Sequence, residues 1–193
     1  MSTRGLIGIR VDGERKYSYN HSDSYPSWLG KHSAREFEQL LHDWGIDELR
    51  KMAALMKPVN ANIPPDITAR ELFGEYEDRN VGGDSVYEDW YRLFRKAQHI
   101  WRPFLTYGIY LGVAATGDAE GPDMDQEWVY EWDLDNQIPR FIVRKVSGVA
   151  FGPNEHTYTV TPFDWANPNW PPEMHEESRT VASSQMLDEL GDM

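Results

Sequence analysis

The amino-acid sequence predicts one domain of the α+β class: an antiparallel sheet from an N-terminal hairpin and C-terminal strands, packed by a helical middle section over residues 33–102. Three observations predict this class: a hairpin-turn signal at Asp12-Gly13, helix-start signals with apolar periodicity in the middle of the chain, and alternating apolar segments further on. With 193 residues, the chain is long enough for one hydrophobic core. A two-sheet αββα sandwich is the alternative arrangement.

The first predicted element is the hairpin. Thr3–Val11 has the composition of a strand, Asp12-Gly13 is typical of a two-residue turn, and Arg15–His21 returns as the second strand. Because side chains alternate between the two faces of a strand, Tyr17 and Tyr19 are expected to share a face.

Capping-box patterns, in which Ser or Thr is followed three residues later by Glu, predict helix starts at Ser33, Thr68 and Ser85. Gly45 interrupts the first of these helices, and a second helical segment follows it. The helix that begins at Ser85 has the best helical pattern in the chain and is expected to end near residue 102. One side of it is apolar, and the opposite side carries basic residues: Arg92, Arg95, Lys96, His99 and Arg102. Such a stripe is typical of a solvated face paired with neighbouring acids, and a site for a phosphate-bearing ligand or acidic partner is the alternative.

The second half of the chain predicts the remaining strands. Tyr107–Ala115 favours a buried strand, whereas Glu127–Leu134 and Arg140–Val146 favour a pair of strands joined by a turn. From residue 162 the sequence is rich in Pro and Trp, which is typical of an extended arm. We therefore expect a domain over residues 1–161 and an arm over residues 162–193 that packs on it.

The chain is acidic, with a net charge of −13. This charge argues against direct binding to nucleic acid or to an anionic membrane, since both are polyanions. Eight acids lie between residues 118 and 136, where solubility is the favoured explanation and imitation of a polyanion the alternative. The sequence has no Cys, no apolar run of membrane-spanning length and no signal-peptide pattern, so we expect a cytoplasmic protein.

The densest cluster of polar and aromatic residues is the segment Tyr19–Pro26, which follows the second predicted strand. It combines hydrogen-bonding groups, a titratable imidazole and stacking surfaces in a loop, where binding sites are often found. A structural turn is the competing interpretation. In that case Asn20 and Asp23 would bond to nearby backbone groups, and Asp23 would cap the following helix.

Metal and cofactor sites are not predicted. The six His have no zinc-ligand spacing, and the segment beginning at Asp123 departs from a calcium loop because Trp128 stands where that loop needs Gly. The sequence also contains no Gly-rich phosphate loop and no nucleophile-elbow motif.

Parts of the sequence resemble an uncharacterised family of proteins from phages, bacteria and fungi. The resemblance is carried by Thr3–Gly13, which begins with Thr-Arg-Gly, and by Tyr19–Pro26, which ends in Asp-x-Tyr-Pro and is followed by Leu29-Gly30. Glu127–Tyr130 and Asp133–Asp135 resemble the family's recurrent strand and turn. The resemblance implies a phage origin and no known activity. It favours one candidate ligand site: Arg4, Tyr19, Asn20, His21, Asp23 and Tyr25.

The beginning of the chain is also similar to N-terminal-nucleophile hydrolases. In such an enzyme, removal of Met1 would expose Ser2, whose free amine could act as the base for its own hydroxyl. The resemblance implies that Asn20 or Asp23 would lie near this nucleophile and that Arg4 would hold a substrate carboxylate. The αββα sandwich would accompany this activity.

Three hypotheses of function follow. The first is a phage-encoded accessory protein that binds a small nucleotide-like or anionic ligand, with Arg4 on the anion and the loop tyrosines stacking on the ligand. The second is an acidic inhibitor of a host protein, such as a DNA-binding or defence protein, that acts through residues 118–136 or the Trp-rich arm. The third is amide hydrolysis by Ser2.

Overall fold

The computed structural model describes residues 3–112, 126–145 and 156–160, with the backbone alone for residues 144, 145 and 156–160. The strands are β1 (Gly5–Val11), β2 (Glu14–Asn20), β3 (Lys57–Pro58), β4 (Ile109–Tyr110), β5 (Trp128–Asp133), β6 (Arg140–Lys145) and β7 (His156–Val160). The helices are α1 (Lys31–Leu55), α2 (Ile67–Phe73), α3 (Val86–Phe94) and α4 (Arg102–Tyr107). Shorter helical turns lie at Pro26–Gly30, Gly74–Tyr76 and Arg95–Ala97.

The main sheet has five strands in the order β2-β1-β5-β6-β7. All neighbouring pairs are antiparallel except β1 and β5, which are parallel, with Gly5 opposite Trp128. The predicted α+β class, with a sheet from N-terminal and C-terminal strands and a helical middle section, is therefore confirmed. Apart from this sheet, the described strands form only the two-residue pair of β3 and β4, so they do not make a two-sheet sandwich.

The hairpin between β1 and β2 turns at Asp12 and Gly13, as the sequence predicts. Both residues have positive φ, 54° and 76°, which is the backbone of the two-residue turns that match strand twist. Asp135, in the turn after β5, accepts a hydrogen bond from the Gly13 amide at 3.1 Å and pairs with Arg10 at 2.9 Å. These contacts join the hairpin tip to the far half of the chain.

One face of the sheet packs against the helices and forms the main core. Ile7 and Ile9 of β1, with Tyr130 and Trp132 of β5, belong to this core. Phe37 of α1 stacks on Trp132 with ring centroids 3.6 Å apart. Because apolar burial stabilises a fold by roughly 25 cal/mol per Å2, these large rings dominate the packing energy.

The opposite face carries a second cluster made by Leu6, Tyr17, Tyr19 and Val129. Tyr17, Gly8 and Glu131 stand opposite one another on β2, β1 and β5. The Tyr17 ring lies over Gly8, and its hydroxyl donates a hydrogen bond to the Glu131 carboxylate. Arg15 approaches the same fully buried carboxylate at 3.3 Å.

Helix α1 begins earlier than predicted, at Lys31, because it continues directly from the helical turn Pro26–Gly30. Ser33 is buried and does not cap the helix; its Oγ accepts a hydrogen bond from the Trp132 indole at 3.1 Å. Gly45 interrupts the helix as predicted, with φ 73°. The buried Lys16 ends it, since its ammonium donates to the carbonyl oxygens of Ala54 at 3.0 Å and Met56 at 2.7 Å.

Of the helix starts predicted at Thr68 and Ser85, only the second has the predicted capping residue. Asp66, and not Thr68, caps α2, since its carboxylate accepts from the Ala69 amide at 2.8 Å. The capping box of Ser85 and Glu88 at the start of α3 is confirmed in both directions. At the other end of α3, the predicted continuation to residue 102 is wrong, because the helix ends at Phe94.

The carboxylate of Glu36 on α1 explains why no continuous helix runs from α3 through residue 102. It accepts hydrogen bonds from the Trp101 amide at 2.7 Å and the Arg102 amide at 2.9 Å, which would bond within the helix if α3 continued. These amides instead begin α4, with Pro103 in its first turn. Of the strand predicted at Tyr107–Ala115, the described part ends at Gly112 and contains only β4, which follows the left-handed Gly108.

Several predicted segments lie outside the described residues. They include residues 113–125, with four of the eight acids of the 118–136 segment, and the arm over residues 162–193. Among the described helices, none is long and apolar enough to cross a membrane.

Gly8→Ala should destabilise the protein by roughly 1–3 kcal/mol, because overfilling a packed site forces strain. The added Cβ would lie 2.3 Å from the Tyr17 ring. Gly74→Ala is the matched control: its φ of −57° suits alanine and its Cβ would meet no atom within 4 Å. Urea unfolding should show an unchanged or slightly higher stability for the control. Equal effects of the two substitutions would contradict the close packing of Tyr17 on Gly8.

Glu36 should make stability depend on pH. Burial raises its pKa from 4.5 to about 7, although the Trp101 and Arg102 amides and the Arg102 charge oppose the shift. A carboxyl whose pKa is higher in the folded state stabilises the fold below its unfolded pKa, and this contribution is lost as pH rises through 7. Between about pH 5.5 and pH 8 the wild type should therefore lose on the order of 2 kcal/mol relative to Glu36→Gln. Urea unfolding of both proteins across this range measures the difference, and a constant difference would contradict the raised pKa.

Candidate functional site

Three of the predicted site residues lie together where β1 begins and β2 ends. The Tyr19 hydroxyl is 3.3 Å from Nδ1 of His21, and their ring centroids are 6.1 Å apart. Arg4 directly precedes β1, and its charge acts on His21. The pairing of Gly5 with Asn20 brings these residues to one end of the hairpin.

The other three predicted residues have different surroundings. Asn20 is buried and donates hydrogen bonds to the Ser22 carbonyl and, at 2.9 Å, to the Ser24 hydroxyl, which agrees with the structural-turn interpretation. Asp23 is exposed with φ 54°, and it does not cap the helical turn at Pro26–Gly30, which has no side-chain cap. The carbonyl of Tyr25 accepts from the Trp28 amide at 3.0 Å. None of these three side chains lines the cleft beside His21.

That cleft lies between the end of β2 and helix α3 and has a volume of about 540 Å3. Four aromatic side chains form much of its wall: Tyr19 and His21 from β2 and the loop after it, and Tyr87 and Tyr91 from α3. The His21 and Tyr91 rings meet edge to face at 6.3 Å. The remaining lining residues are Val81, Gly82, Ser85 and Glu88.

Helix α3 brings to the cleft two tyrosines that the sequence analysis did not select, Tyr87 and Tyr91. Tyr87, Tyr91 and Arg95 recur every four residues, which places them on one side of a helix. Tyr91 packs against the Tyr17–Tyr19 cluster, and the Arg95 guanidinium lies 5.6 Å from the centre of its ring. This four-residue spacing is the signal in the sequence that could have identified them. The sequence analysis used only the periodicity of apolar residues, which does not indicate a binding site on this side of the helix.

The start of α3 is held firmly. The Glu88 amide donates to the Ser85 hydroxyl at 3.2 Å, and the Glu88 carboxylate accepts from the Ser85 amide at 3.0 Å. The Ser85 amide and hydroxyl lower the pKa of Glu88, so this carboxylate is ionised in the cleft. The Trp90 indole of α3 donates a hydrogen bond to the Ile63 carbonyl at 2.7 Å, which joins the helix to the loop before α2.

The electrostatics of the cleft favour a neutral imidazole beside fixed positive charge. Burial lowers the pKa of His21, and the charges of Arg95 and Arg4 lower it further. Burial also raises the pKa of Tyr87, whose hydroxyl has no hydrogen-bond partner in the described part of the chain. A buried hydroxyl without a partner is costly, and Tyr87 is one of the residues that line the cleft.

The basic stripe predicted over residues 92–102 is divided by the end of α3. Arg92 pairs with Asp89 at 2.9 Å, and Arg102 pairs with Asp43 at 2.5 Å. Pairing with neighbouring acids is therefore observed for two members, while Arg95 lies beside the Tyr91 ring and bonds to Gln98 at 2.9 Å.

The described residues include no group of three or more His, Asp or Glu side chains placed to hold a metal ion. Ser2, the candidate nucleophile, lies outside the described residues. No family model, curated protein or solved structure matches the chain. The family resemblance, the phage origin and the hydrolase similarity therefore stay predictions.

Arg95→Gln should raise the pKa of His21, because it removes a positive charge that disfavours the imidazolium. The pKa of His99, which Arg95 also lowers, should rise as well. Histidine NMR signals followed through a pH titration measure both values. Arg35→Gln, at an exposed position of α1, is the control with the same loss of charge. A His21 titration unchanged by Arg95→Gln would contradict the proximity of the two side chains.

Proposed function

We propose that this protein binds a small aromatic anion of the nucleotide type in the cleft between β2 and α3. The observation that carries the proposal is the combination of four aromatic side chains with two guanidinium groups that act on one of them, His21. Rings supply faces and edges for a planar group, and guanidinium groups bind phosphate through paired hydrogen bonds.

The roles of the residues follow from their positions. Tyr91 and Tyr19 provide contact area for a base, and Arg95 and Arg4 would balance the charge of a phosphate. The ionised Glu88 and the Tyr87 hydroxyl are suited to hydrogen-bond the polar edge of the base. His21, neutral near pH 7, can both donate and accept a hydrogen bond.

The size and form of the cleft support a ligand of this class. Its volume of about 540 Å3 lies within the range of small-molecule sites, roughly 300–1,000 Å3. Its walls come from the end of a strand and from a helix whose start is fixed by a capping box, so its shape exists before a ligand enters.

Calorimetric titration with the four common nucleoside monophosphates, at constant ionic strength, tests this proposal. We expect saturable binding of at least one of them, and about tenfold weaker binding in Tyr91→Leu and in Arg95→Gln, the equivalent of one stacking or charged contact. Tyr107→Leu and Arg35→Gln are the matched controls outside the cleft and should bind as the wild type does.

Two outcomes would contradict the proposal. One is the absence of saturable binding by all four nucleotides. The other is equal weakening by the control substitutions, because binding would then reflect overall charge or stability and not the cleft.

A further inference from the structure

We propose that a second pocket, next to α2 and α3, binds the phosphoryl group of a small phosphorylated molecule. This pocket has a volume of about 430 Å3 and is lined by three arginines, one acid and two other residues: Arg70, Arg79, Arg92, Glu77, Gly74 and Leu93. It shares no lining residue with the aromatic cleft. The proposal is therefore independent of the proposed function.

The Arg92 guanidinium is oriented by acids on two sides. Its Nη2 donates to Asp89 at 2.9 Å, and its Nε lies 3.5 Å from Glu77 Oε1. This second contact is an ion pair and not a hydrogen bond, so the buried Nε has no hydrogen-bond partner among the described residues. A buried donor without a partner is costly, so the contact with Glu77 leaves the hydrogen-bonding capacity of Arg92 incompletely used.

Arg79 and Arg70 supply further donors. Arg79 is mostly exposed and donates through Nε to Glu77 at 3.0 Å; within the described residues its two terminal nitrogens have no hydrogen-bond partner. Arg70 is held by its Nε, which donates to the Pro65 carbonyl at 3.2 Å, and its nearest acid, Asp89, is 3.9 Å away. Both guanidinium groups therefore keep terminal N–H groups that an anion can use.

The charge balance at the pocket favours an anion. Three guanidinium groups face two carboxylates, Glu77 and Asp89, which leaves one positive charge locally. The net charge of the whole chain is −13, but exposed charges beyond the Debye length, about 8 Å at physiological salt, are largely screened. Among the groups paired directly at the pocket, guanidinium groups therefore outnumber carboxylates by one.

A phosphoryl group fits this arrangement better than a simple carboxylate. Each guanidinium presents a planar pair of donors, and the three oxygens of a phosphate monoester can accept from more than one such pair. The pocket is larger than phosphate alone requires, and Leu93 with the backbone at Gly74 provides the remaining wall. That part of the pocket suits the organic part of a small phosphorylated metabolite.

Titration of the full chain with inorganic phosphate and with pyrophosphate, by calorimetry at constant ionic strength, tests this proposal. We expect saturable binding, tighter for pyrophosphate. Arg79→Gln should weaken it about tenfold, the usual size of one charge-assisted contact. Because the Arg79 side chain is 86% exposed, this substitution should leave the fold intact, which circular dichroism can verify.

A substitution with the opposite sign strengthens the test. Glu77→Gln removes the carboxylate that competes for Arg79 and Arg92, so it should tighten the binding of pyrophosphate. Arg35→Gln, at an exposed position away from the pocket, carries the same change of charge as Arg79→Gln and should leave binding unchanged.

The proposal would be overturned by three results. The wild type could show no saturable binding of pyrophosphate. Arg35→Gln could weaken binding as much as Arg79→Gln, which would make the effect one of net charge. Arg95→Gln could abolish binding while Arg79→Gln has no effect, which would assign the anion to the aromatic cleft and leave the proposed function standing.

Discussion

The contact of Tyr17 with Glu131 across Gly8 is the constraint on which the sheet depends. Glu131 has no exposed surface, and a buried carboxylate is tolerated only when donors or positive charge surround it. The Tyr17 hydroxyl and the Arg15 guanidinium, both on β2, reach this carboxylate on β5 across the intervening strand β1. They can do so because Gly8 on β1 has no side chain. A shift of one residue in either pairing would turn these groups to opposite faces, so the contact fixes the register of β2, β1 and β5.

Both candidate sites follow from this register and from the start of α3. Tyr19 lies two residues beyond Tyr17 on the same face of β2, and the loop after it carries His21 to the helix. The capping box fixes the start of α3, which places Tyr87 and Tyr91 at the aromatic cleft and Arg92 at the second pocket. Gly82 lies close to both sites. It lines the aromatic cleft, and a Cβ at this position would be 3.5 Å from the Arg92 side chain.

Local signals in the sequence predicted the local structure well. Asp12-Gly13 and the Ser85–Glu88 capping box depend on neighbouring residues alone, and both are observed. The errors arise where contacts between residues distant in sequence determine the structure. The Glu36 carboxylate accepts a hydrogen bond from an amide that would otherwise bond within a longer α3, and the Ser33 hydroxyl accepts one from the Trp132 indole instead of capping α1. For the same reason the candidate site was half predicted. Its strand-end residues stood in a visible cluster, but Tyr87 and Tyr91 join them only through tertiary packing.

The parallel pairing of β1 with β5 has a consequence for how the chain reaches its native state. These two neighbouring strands are separated by more than a hundred residues, whereas the β1–β2 hairpin closes over a two-residue turn. During synthesis the hairpin can therefore form long before its partner leaves the ribosome, with one edge of an apolar strand unpaired. Closure of so long a loop is slow, and Gly5–Val11 is then the segment most exposed to self-association. Yield and aggregation during expression should therefore depend more on how soon β5 is synthesised after the hairpin than on the stability of the native fold.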